Sequence, residues 1–416
     1  MLFSIGVFII LAIFVLRWPY LGIVFTIASL PLTDILPSVP EASSLVSLLG
    51  GVTFASFLLA SLKKRTAQKI VDRLPAALVF GLLFLIWLLT NFAAAVIPTS
   101  DGRVWIFTFL QLWALSWLTF LLIETPEQVQ VLMWFFFLAG LVSAIYASGE
   151  GIIGVTVKTS IRTTGLAEGA NSAARYFLMA LIFAYILLTQ QKKKVIQLFL
   201  VVGMAVMVYG MLVTVSRTGL LLLMTAISLL LLQNLGTRNR VYALILAFSA
   251  LGIVWVLADN ITFILQSISG SVLAGTDTVG IRYGLWQAGL RMWINNPVLG
   301  VGVGQFTAQL PFYGWNLLPP RYLVLGAHNM YIAVLSETGL IGFIFFVAMF
   351  AASLRYLFLA RRSSLPQVKE LAMNWMIILI LILIAGITKH DQYDKLVWMF
   401  VGVSTAIGWM DHRDDG

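Results

Sequence analysis

The dominant feature of the sequence is a series of long apolar runs separated by short polar segments. A helix that crosses the hydrocarbon core of a bilayer needs roughly 20 apolar residues. Hydrophobic residues make up 60% of the chain and charged residues 10%, whereas a soluble domain typically carries about 25% charged residues. A chain of 416 residues cannot bury this much apolar surface inside itself, so lipid must solvate it. Candidate spans lie near residues 2–16, 19–38, 43–62, 75–97, 104–123, 129–149, 174–190, 195–215, 219–234, 241–258, 330–353, 370–388 and 395–410.

The pattern therefore predicts an all-α polytopic membrane protein with about 12 transmembrane helices. Only Arg17, Trp18 and Pro19 separate the first two runs, which form either two spans or one broken element. The first run has no basic stretch before it and no small-residue cleavage site behind it, so we expect a retained span rather than a signal peptide. We predict a single bundle over residues 1–416.

The net charge of +9 does not indicate nucleic-acid binding. The basic residues are scattered between apolar runs and form neither a basic domain nor an aromatic stacking module. Anionic lipid and an anionic substrate are the partners that this distribution favours. The chain has no cysteine, which excludes disulfides, thiolate nucleophiles and cysteine-based metal sites.

The distribution of lysine and arginine orients the spans, because cytoplasmic loops carry an excess of both. The basic loops contain Lys63, Lys64, Arg65, Lys69, Arg73, Lys192, Lys193, Lys194, Arg238, Arg240, Arg355, Arg361, Arg362 and Lys369. The opposite face then holds residues 150–173, the turn at Ser216 and Arg217, and the long segment 259–327. Long connections are usually functional or disordered. This segment contains the helix-like pattern RYGLWQAGLRMW, so we expect an ordered extracytoplasmic cap at 259–327.

Six arginines lie on the outer face, against the charge bias: Arg162, Arg175, Arg217, Arg282, Arg291 and Arg321. Arginine presents a planar fork suited to phosphate and stays charged when partly buried. Arg217 stands between two apolar runs, where a charge is costly and therefore a functional hypothesis. The alternative is that Arg217 reaches out to lipid headgroups. Few acids accompany these arginines, so the sequence predicts no carboxylate cage for a divalent cation.

His328 stands at the mouth of a predicted span, after the long outer segment. A histidine there could take a proton from an acceptor hydroxyl near neutral pH, or it could simply cap the helix. Glu337 follows nine residues later, about 180° around a regular helix, so it need not share a pocket with His328. Arg282 and Arg291 have the same spacing, so only one of them should face a site. The glycines of PVLGVGVGQF lack the context of a phosphate loop and indicate a tight turn.

Together these residues resemble the O-antigen ligase and O-antigen polymerase superfamily of bacterial envelope glycan transferases, over roughly residues 150–345. The resemblance rests on four segments in the order of the family. They are RTTGLAEGANSAARY with Arg162, Gly165 and Asn171; VSRTGLL with Arg217; IRYGLWQAGLRMWINNPVLGVGVGQF with Arg282, Pro297, Gly300 and Gly302; and HNMYIAVLSETGLIG with His328, Asn329, Glu337 and Gly339. Val298 departs from the leucine that is common in the third segment.

The resemblance implies a GT-C-type helical fold in the bacterial inner membrane, with the active site on the periplasmic face. It implies a glycan donor on undecaprenyl diphosphate and transfer without a metal or other cofactor. Arg217 and Arg282 become the preferred diphosphate-binding residues and His328 the preferred catalytic residue. Further candidate substrate-binding residues are Arg162, Asn171, Arg291, Asn329 and Glu337.

Ligase and polymerase differ in the acceptor, which is lipid A–core for a ligase and a second lipid-linked glycan for a polymerase. The resemblance does not separate them. A transporter or lipid flippase is a remoter alternative, and it should carry charges deep inside several spans, which most runs here lack. A structural scaffold would leave the costly Arg217 unexplained.

The orientation can be tested by cysteine labelling, since the natural chain has no cysteine. We expect an impermeant thiol reagent, applied to spheroplasts, to modify single cysteines within 259–327 and not those at Lys192, Lys193 or Lys194. Permeabilised membranes provide the control, because both sets should then react. The opposite pattern would reverse the orientation.

Overall fold

A computed structural model describes residues 2–35, 45–64, 74–94, 100–153, 163–234 and 278–410 of the chain. The described residues are helical and contain no β-strand. Short 3-10 turns lie at Leu30–Ile35, Pro320–Tyr322 and Asp391–Tyr393. The α-helices are α1 (Leu2–Arg17), α2 (Tyr20–Ser29), α3 (Leu45–Lys64), α4 (Ala76–Ala94), α5 (Ser100–Leu122), α6 (Pro126–Ile153), α7 (Ala170–Gln190), α8 (Lys194–Val213), α9 (Arg217–Asn234), α10 (Thr278–Asn295), α11 (Phe306–Gly314), α12 (Met330–Ala360), α13 (Pro366–Ala385) and α14 (Lys395–Trp409).

Among the described residues, seven helices are long and apolar enough to cross a membrane, namely α4, α5, α6, α7, α8, α12 and α13. Shorter apolar helices occur at Tyr20–Asp34, Leu49–Leu59, Arg217–Gln233 and Lys395–Trp409. A helical, polytopic membrane protein is therefore confirmed. The total of about 12 spans and the GT-C type stay predictions, and the candidate span at 241–258 lies outside the described residues.

The chain divides into two compact units, one formed by Met1–Thr66 and Leu122–Val272 and the other by Ala67–Leu121 and Leu273–Gly416. A single bundle over residues 1–416 stays a prediction. In the first unit α7 is the central helix, because most of its side chains are buried against α6, α8 and α9. Helix α2 packs on α6, and α3 packs on α2 and α1.

The second unit is built around α12, which packs against α4, α10, α13 and α14. Aromatic side chains fill the space between these helices: Phe84 of α4 contacts Phe109 of α5 and Phe346 of α12, with each pair of ring centroids 5.3 Å apart. Trp375 of α13 stacks on Phe400 of α14. These edge-to-face and stacked ring contacts favour one fixed position of α12 relative to its neighbouring helices.

The segment predicted to form a cap is ordered and helical from Thr278 onwards, while residues 259–277 lie outside the described part. Helix α10 packs along the start of α12, and α11 packs on α10. A small apolar core holds them together, formed by Leu285, Ala288, Met292, Phe306, Leu310, Leu318, Ala327 and Ala333. This core fixes the cap to the mouth of α12, where His328 lies.

Helix α12 is interrupted at Gly339, whose φ of 67° and ψ of −172° are essentially restricted to glycine. The loop between α10 and α11 packs into this break. Backbone hydrogen bonds run from Val301 N to Ser336 O (2.8 Å), from Gly302 N to Glu337 O (3.0 Å) and from Leu340 N to Pro297 O (2.9 Å). The predicted tight turn is therefore present, and its glycines allow the loop backbone to approach the helix.

The loop and the break leave no room for side chains at two glycines. A Cβ on Gly339 would lie 2.0 Å from Val298 O, and one on Gly300 (φ 71°) would lie 2.6 Å from Glu337 O. We expect Gly300→Ala and Gly339→Ala each to lower the free energy of unfolding by at least the roughly 1–3 kcal/mol of a strained backbone. The measurement is thermal unfolding of the detergent-solubilised protein.

Gly51→Ala is the matched control, since a Cβ there meets nothing within 4 Å and α3 is regular. It should leave the unfolding temperature unchanged or slightly higher, because alanine favours helix. Equal behaviour of all three variants would contradict the close packing of loop and break.

Candidate functional site

His328 lies in the connection between the 3-10 turn at Pro320–Tyr322 and α12, half-buried. Its backbone has a φ of +47°, which is uncommon for a residue with a side chain. The next residue, Asn329, begins α12 as its N-cap, with its side-chain oxygen accepting from the backbone N–H groups of Tyr331 (2.9 Å) and Ile332 (3.1 Å). The N-cap Asn329 fixes the start of α12 and therefore the position of the preceding residue, His328.

The turn between α13 and α14 brings a second histidine to His328. The ring centroids of His328 and His390 are 5.2 Å apart and the planes are inclined by 63°. Burial lowers the pKa of His328 to about 4, with further contributions from the positive charges of His390, Arg282 and Lys389. Burial also lowers the pKa of His390, with a contribution from Lys389. Both imidazoles are therefore neutral at pH 7, and a neutral imidazole can accept a proton.

Arg282 and Arg291 take opposite roles on α10, as their spacing predicts. The charge of Arg282 acts on His328, so the two groups share one electrostatic environment. Arg291 points to the end of α11, where its Nη1 donates to Tyr313 O (3.2 Å) and to Asn316 Oδ1 (2.7 Å). Arg291 is exposed and holds α10 to α11, whereas Arg282 belongs with His328.

Glu337 is buried and bonded within the protein. Its Oε1 accepts from the backbone N–H of Phe306 (3.2 Å), at the start of α11, and its Oε2 accepts from the hydroxyl of Tyr393 (3.0 Å). The Tyr393 ring stacks on Trp105 of α5, with the centroids 3.8 Å apart. Glu337 thus joins the cap, the α13–α14 turn and α12. These bonds orient the start of α12 relative to both elements.

Two of the family-like segments meet in the first unit. Ser216 Oγ donates to Asn171 Oδ1 (2.9 Å) and accepts from the backbone N–H of Gly219 (3.1 Å), so it caps the start of α9. Arg217 is the first residue of α9 and is half-buried. Val215 just before it has a φ of +48°, a strained value for a β-branched residue. Asn171 and Arg217 are therefore held at one end of α7 and α9.

The predicted site residues are thus distributed over both units. His328, Arg282, Arg291, Asn329 and Glu337 belong to the second unit, and Arg217 and Asn171 belong to the first. Arg162 lies outside the described residues. Each unit is considered by itself, so the assignment of Arg217 and Arg282 to a common diphosphate site stays a prediction.

Within the described ranges, no three His, Asp or Glu side chains come together as a metal site would require. Sequence reasoning missed two residues that the structure places at His328 and Glu337, namely His390 and Tyr393. Both lie in KHDQYD, a polar stretch between two apolar runs. The polarity of this short turn was the signal that the sequence offered. Its contact with a segment some sixty residues earlier becomes visible only in the folded structure.

Comparison with known proteins finds a family resemblance over one segment of the chain. No curated protein matches it. Residues 202–347 match the family model described as O-antigen ligase. The matched segment runs from α8 to the middle of α12 and includes Arg217, Arg282, His328 and Glu337. Residues 202–347 are therefore similar to the O-antigen ligase family, and this match supports the resemblance of the chain to the O-antigen ligase and O-antigen polymerase superfamily.

Proposed function

We propose that this protein is a glycosyltransferase that moves a glycan from undecaprenyl diphosphate to an acceptor sugar on the extracytoplasmic side of the inner membrane. The family match over residues 202–347 carries the proposal. The neighbouring positions of a neutral histidine and an arginine at the mouth of α12 support it. As in a ligase, the acceptor is lipid A–core.

The donor is already activated, because its leaving group is a lipid diphosphate. Arg217 and Arg282 bind that diphosphate and stabilise the negative charge that grows on it. The acceptor oxygen bonds to the anomeric carbon on the face opposite the diphosphate. At the same time the bond from this carbon to the diphosphate oxygen breaks, and its electron pair leaves with the diphosphate. Such direct displacement inverts the anomeric centre.

His328 accepts the proton of the attacking hydroxyl. Its low pKa, about 4, means that the imidazole is in the required neutral form across the physiological range. Neighbouring cations raise the free energy of the His328 imidazolium. The negative charge that grows on the diphosphate during transfer offsets that unfavourable interaction. Proton uptake by His328 and the departure of the anion therefore assist each other. The lipid part of the donor reaches the site laterally from the membrane.

A polymerase would perform the same chemistry with a second lipid-linked glycan as acceptor, and the superfamily includes both activities. Reconstitution decides between them. Purified protein in proteoliposomes receives a lipid-linked glycan donor and either lipid A–core or further lipid-linked glycan. Glycosylated lipid A–core supports the ligase, whereas lengthened lipid-linked glycan supports the polymerase. Movement of the donor across the bilayer without a new glycosidic bond would indicate a flippase and refute the transferase.

The proposed division of labour predicts different defects for different residues. Arg217→Lys and Arg282→Lys should weaken donor binding and transfer, because lysine keeps the charge but loses the bidentate fork. A lost charge-assisted contact costs roughly 1.5–3 kcal/mol, about one to two decades in affinity or rate. His328→Ala should leave donor binding largely intact and slow turnover by roughly 10²–10⁴-fold. Donor binding and single-turnover transfer are measured separately.

Arg291→Lys is the internal control, because Arg291 contacts Tyr313 and Asn316 on the side of α10 opposite Arg282. Its effect on transfer should be milder than that of Arg282→Lys. Near-normal turnover in His328→Ala would refute the catalytic role of His328 and support the alternative that it only caps the helix. Loss of donor binding in the same variant would instead assign His328 to the diphosphate site.

The proposed chemistry uses arginines in place of a divalent cation. We therefore expect transfer to survive strong chelation at an unchanged rate. The assay compares chelator-treated proteoliposomes with samples supplemented with Mg²⁺ or Mn²⁺. A metal-dependent glycosyltransferase assayed beside them confirms that the chelator is effective. Loss of transfer that either ion restores would refute metal independence.

A further inference from the structure

The turn between α13 and α14 presses an imidazole against the connection that carries His328. His390 is close to two residues of this connection. Its ring is 5.2 Å from the His328 ring, centre to centre, and a Cβ at Gly326 would lie 3.4 Å from its Cε1 and Nδ1 atoms. His390 therefore lies against both Gly326 and His328 and forms one wall of the space around His328.

This wall is anchored firmly to the rest of the second unit. Met330 N donates to Gly386 O (2.7 Å) and Tyr331 Oη donates to Leu383 O (2.7 Å), so the start of α12 is bonded to the end of α13. On the other side of the turn, Asp394 caps α14 by accepting from Leu396 N (2.8 Å). His390 is therefore held from both ends of its turn, and its ring has little freedom to move away from His328.

Packing alone does not account for an imidazole at this position. His390 Nδ1 is buried, and the described residues offer it no hydrogen-bond partner. A buried polar atom without a partner is unfavourable, and a phenyl ring would fill the same space without that cost. A polar ring in contact with the proposed catalytic histidine indicates a role that depends on its nitrogen atoms or charge.

The surroundings of His328 are predominantly cationic. Arg282 faces it from α10, and Lys389 and His390 face it from the α13–α14 turn. Of the two acids of that turn, Asp391 is 2% exposed and is engaged by Lys389 at 3.3 Å, and Asp394 caps α14. The acid on α12, Glu337, is engaged by Phe306 N–H and the Tyr393 hydroxyl. An imidazolium at His328 would thus lie among positive charges until an anion arrives.

We propose that His390 is a positioning residue for His328, holding its ring at the mouth of α12 and keeping it in the neutral form that accepts the acceptor's proton. The inference rests on the proposed function for its catalytic meaning. His390 excludes water from one side of His328 and adds a positive neighbour whenever it is itself protonated. Both effects disfavour the imidazolium of His328 in the absence of the anionic donor.

The sign of the expected change follows from these two effects. Removing the His390 ring admits water, and at acid pH it also removes a neighbour that is then positively charged, so the pKa of His328 rises from about 4 towards its ordinary 6.5. Since the base must be neutral, the acid limb of the transfer rate moves to higher pH in the same variant. A loss of folding alone would reduce the rate at every pH without moving this limb.

The test uses the three histidines of the chain, His328, His390 and His412. Histidine labelled with ¹³C at Cε1 gives one NMR signal per imidazole in the full-length protein in detergent or nanodiscs. His412→Ala and His328→Ala assign the signals. The signal of His328 is titrated in the otherwise wild-type chain, in His390→Ala and in His390→Phe, without donor. In the wild-type chain it should titrate near pH 4, and a midpoint near 6.5 would overturn the proposal.

The two variants distinguish the exclusion of water by the His390 ring from the effect of its positive charge. His390→Ala should move the midpoint upwards and slow transfer by up to about a hundredfold, as expected for a misplaced catalytic group. His390→Phe keeps the wall, so its midpoint should stay below that of His390→Ala, and its acid limb should move less. If neither variant moves the midpoint, His390 is not a positioning residue for His328. The titration needs no transfer activity, so absence of transfer in the wild-type protein would instead refute the proposed function.

Discussion

The insertion of the Pro297–Gly304 loop into the break of α12 is the contact on which the second unit depends. A broken helix leaves backbone groups without partners, and inside a membrane each such group is expensive. Here the loop replaces the missing turn through the bonds to Ser336 O and Glu337 O and from Leu340 N. Helix α4 completes the repair, as Trp87 Nε1 donates to Thr338 O (2.8 Å) and Asn91 donates to Leu299 O. The cap that carries Arg282 is thereby joined to α12, and His328 lies just before the start of that helix.

Glu337 joins the third and fourth of the family-like segments. Its carboxylate bonds to the start of α11 and to Tyr393, while its backbone oxygen accepts from the loop. Three elements distant in sequence therefore meet at one buried side chain. The proposed chemistry needs His328 in a fixed position relative to Arg282, and the bonds of Glu337 supply part of that rigidity. Its assignment as a substrate-binding residue stays a prediction. Removal of Glu337 would therefore affect transfer through geometry.

Much of this arrangement was predictable from sequence, and the limits have physical causes. Apolar runs of span length predicted the long helices, and nine-residue spacing correctly predicted that Arg282 and Arg291 diverge, because both rules concern one helix. The glycine turn was also correctly predicted. Its docking into α12 was not, because residues 297–304 and 336–340 meet only through tertiary packing. For the same reason the contact of His390 with His328 was not predicted. The two residues are separated in the sequence by helices α12 and α13 and meet only in the fold. The roles assigned to Arg217, Arg282 and His328 remain predictions.

The interruption of α12 also bears on the order in which the protein is made. A nascent chain emerges from its N-terminal end, so the Pro297–Gly304 loop is synthesised before Gly339 and the helix that it completes. When α12 enters the bilayer, the loop that forms hydrogen bonds with its unpaired backbone groups has already been synthesised and is connected to α12 by the same chain. The costly state, a membrane helix with an unfilled break, therefore need last only as long as docking takes. A circular permutation that placed the loop after α12 would keep every contact of the finished fold yet expose this state during biogenesis.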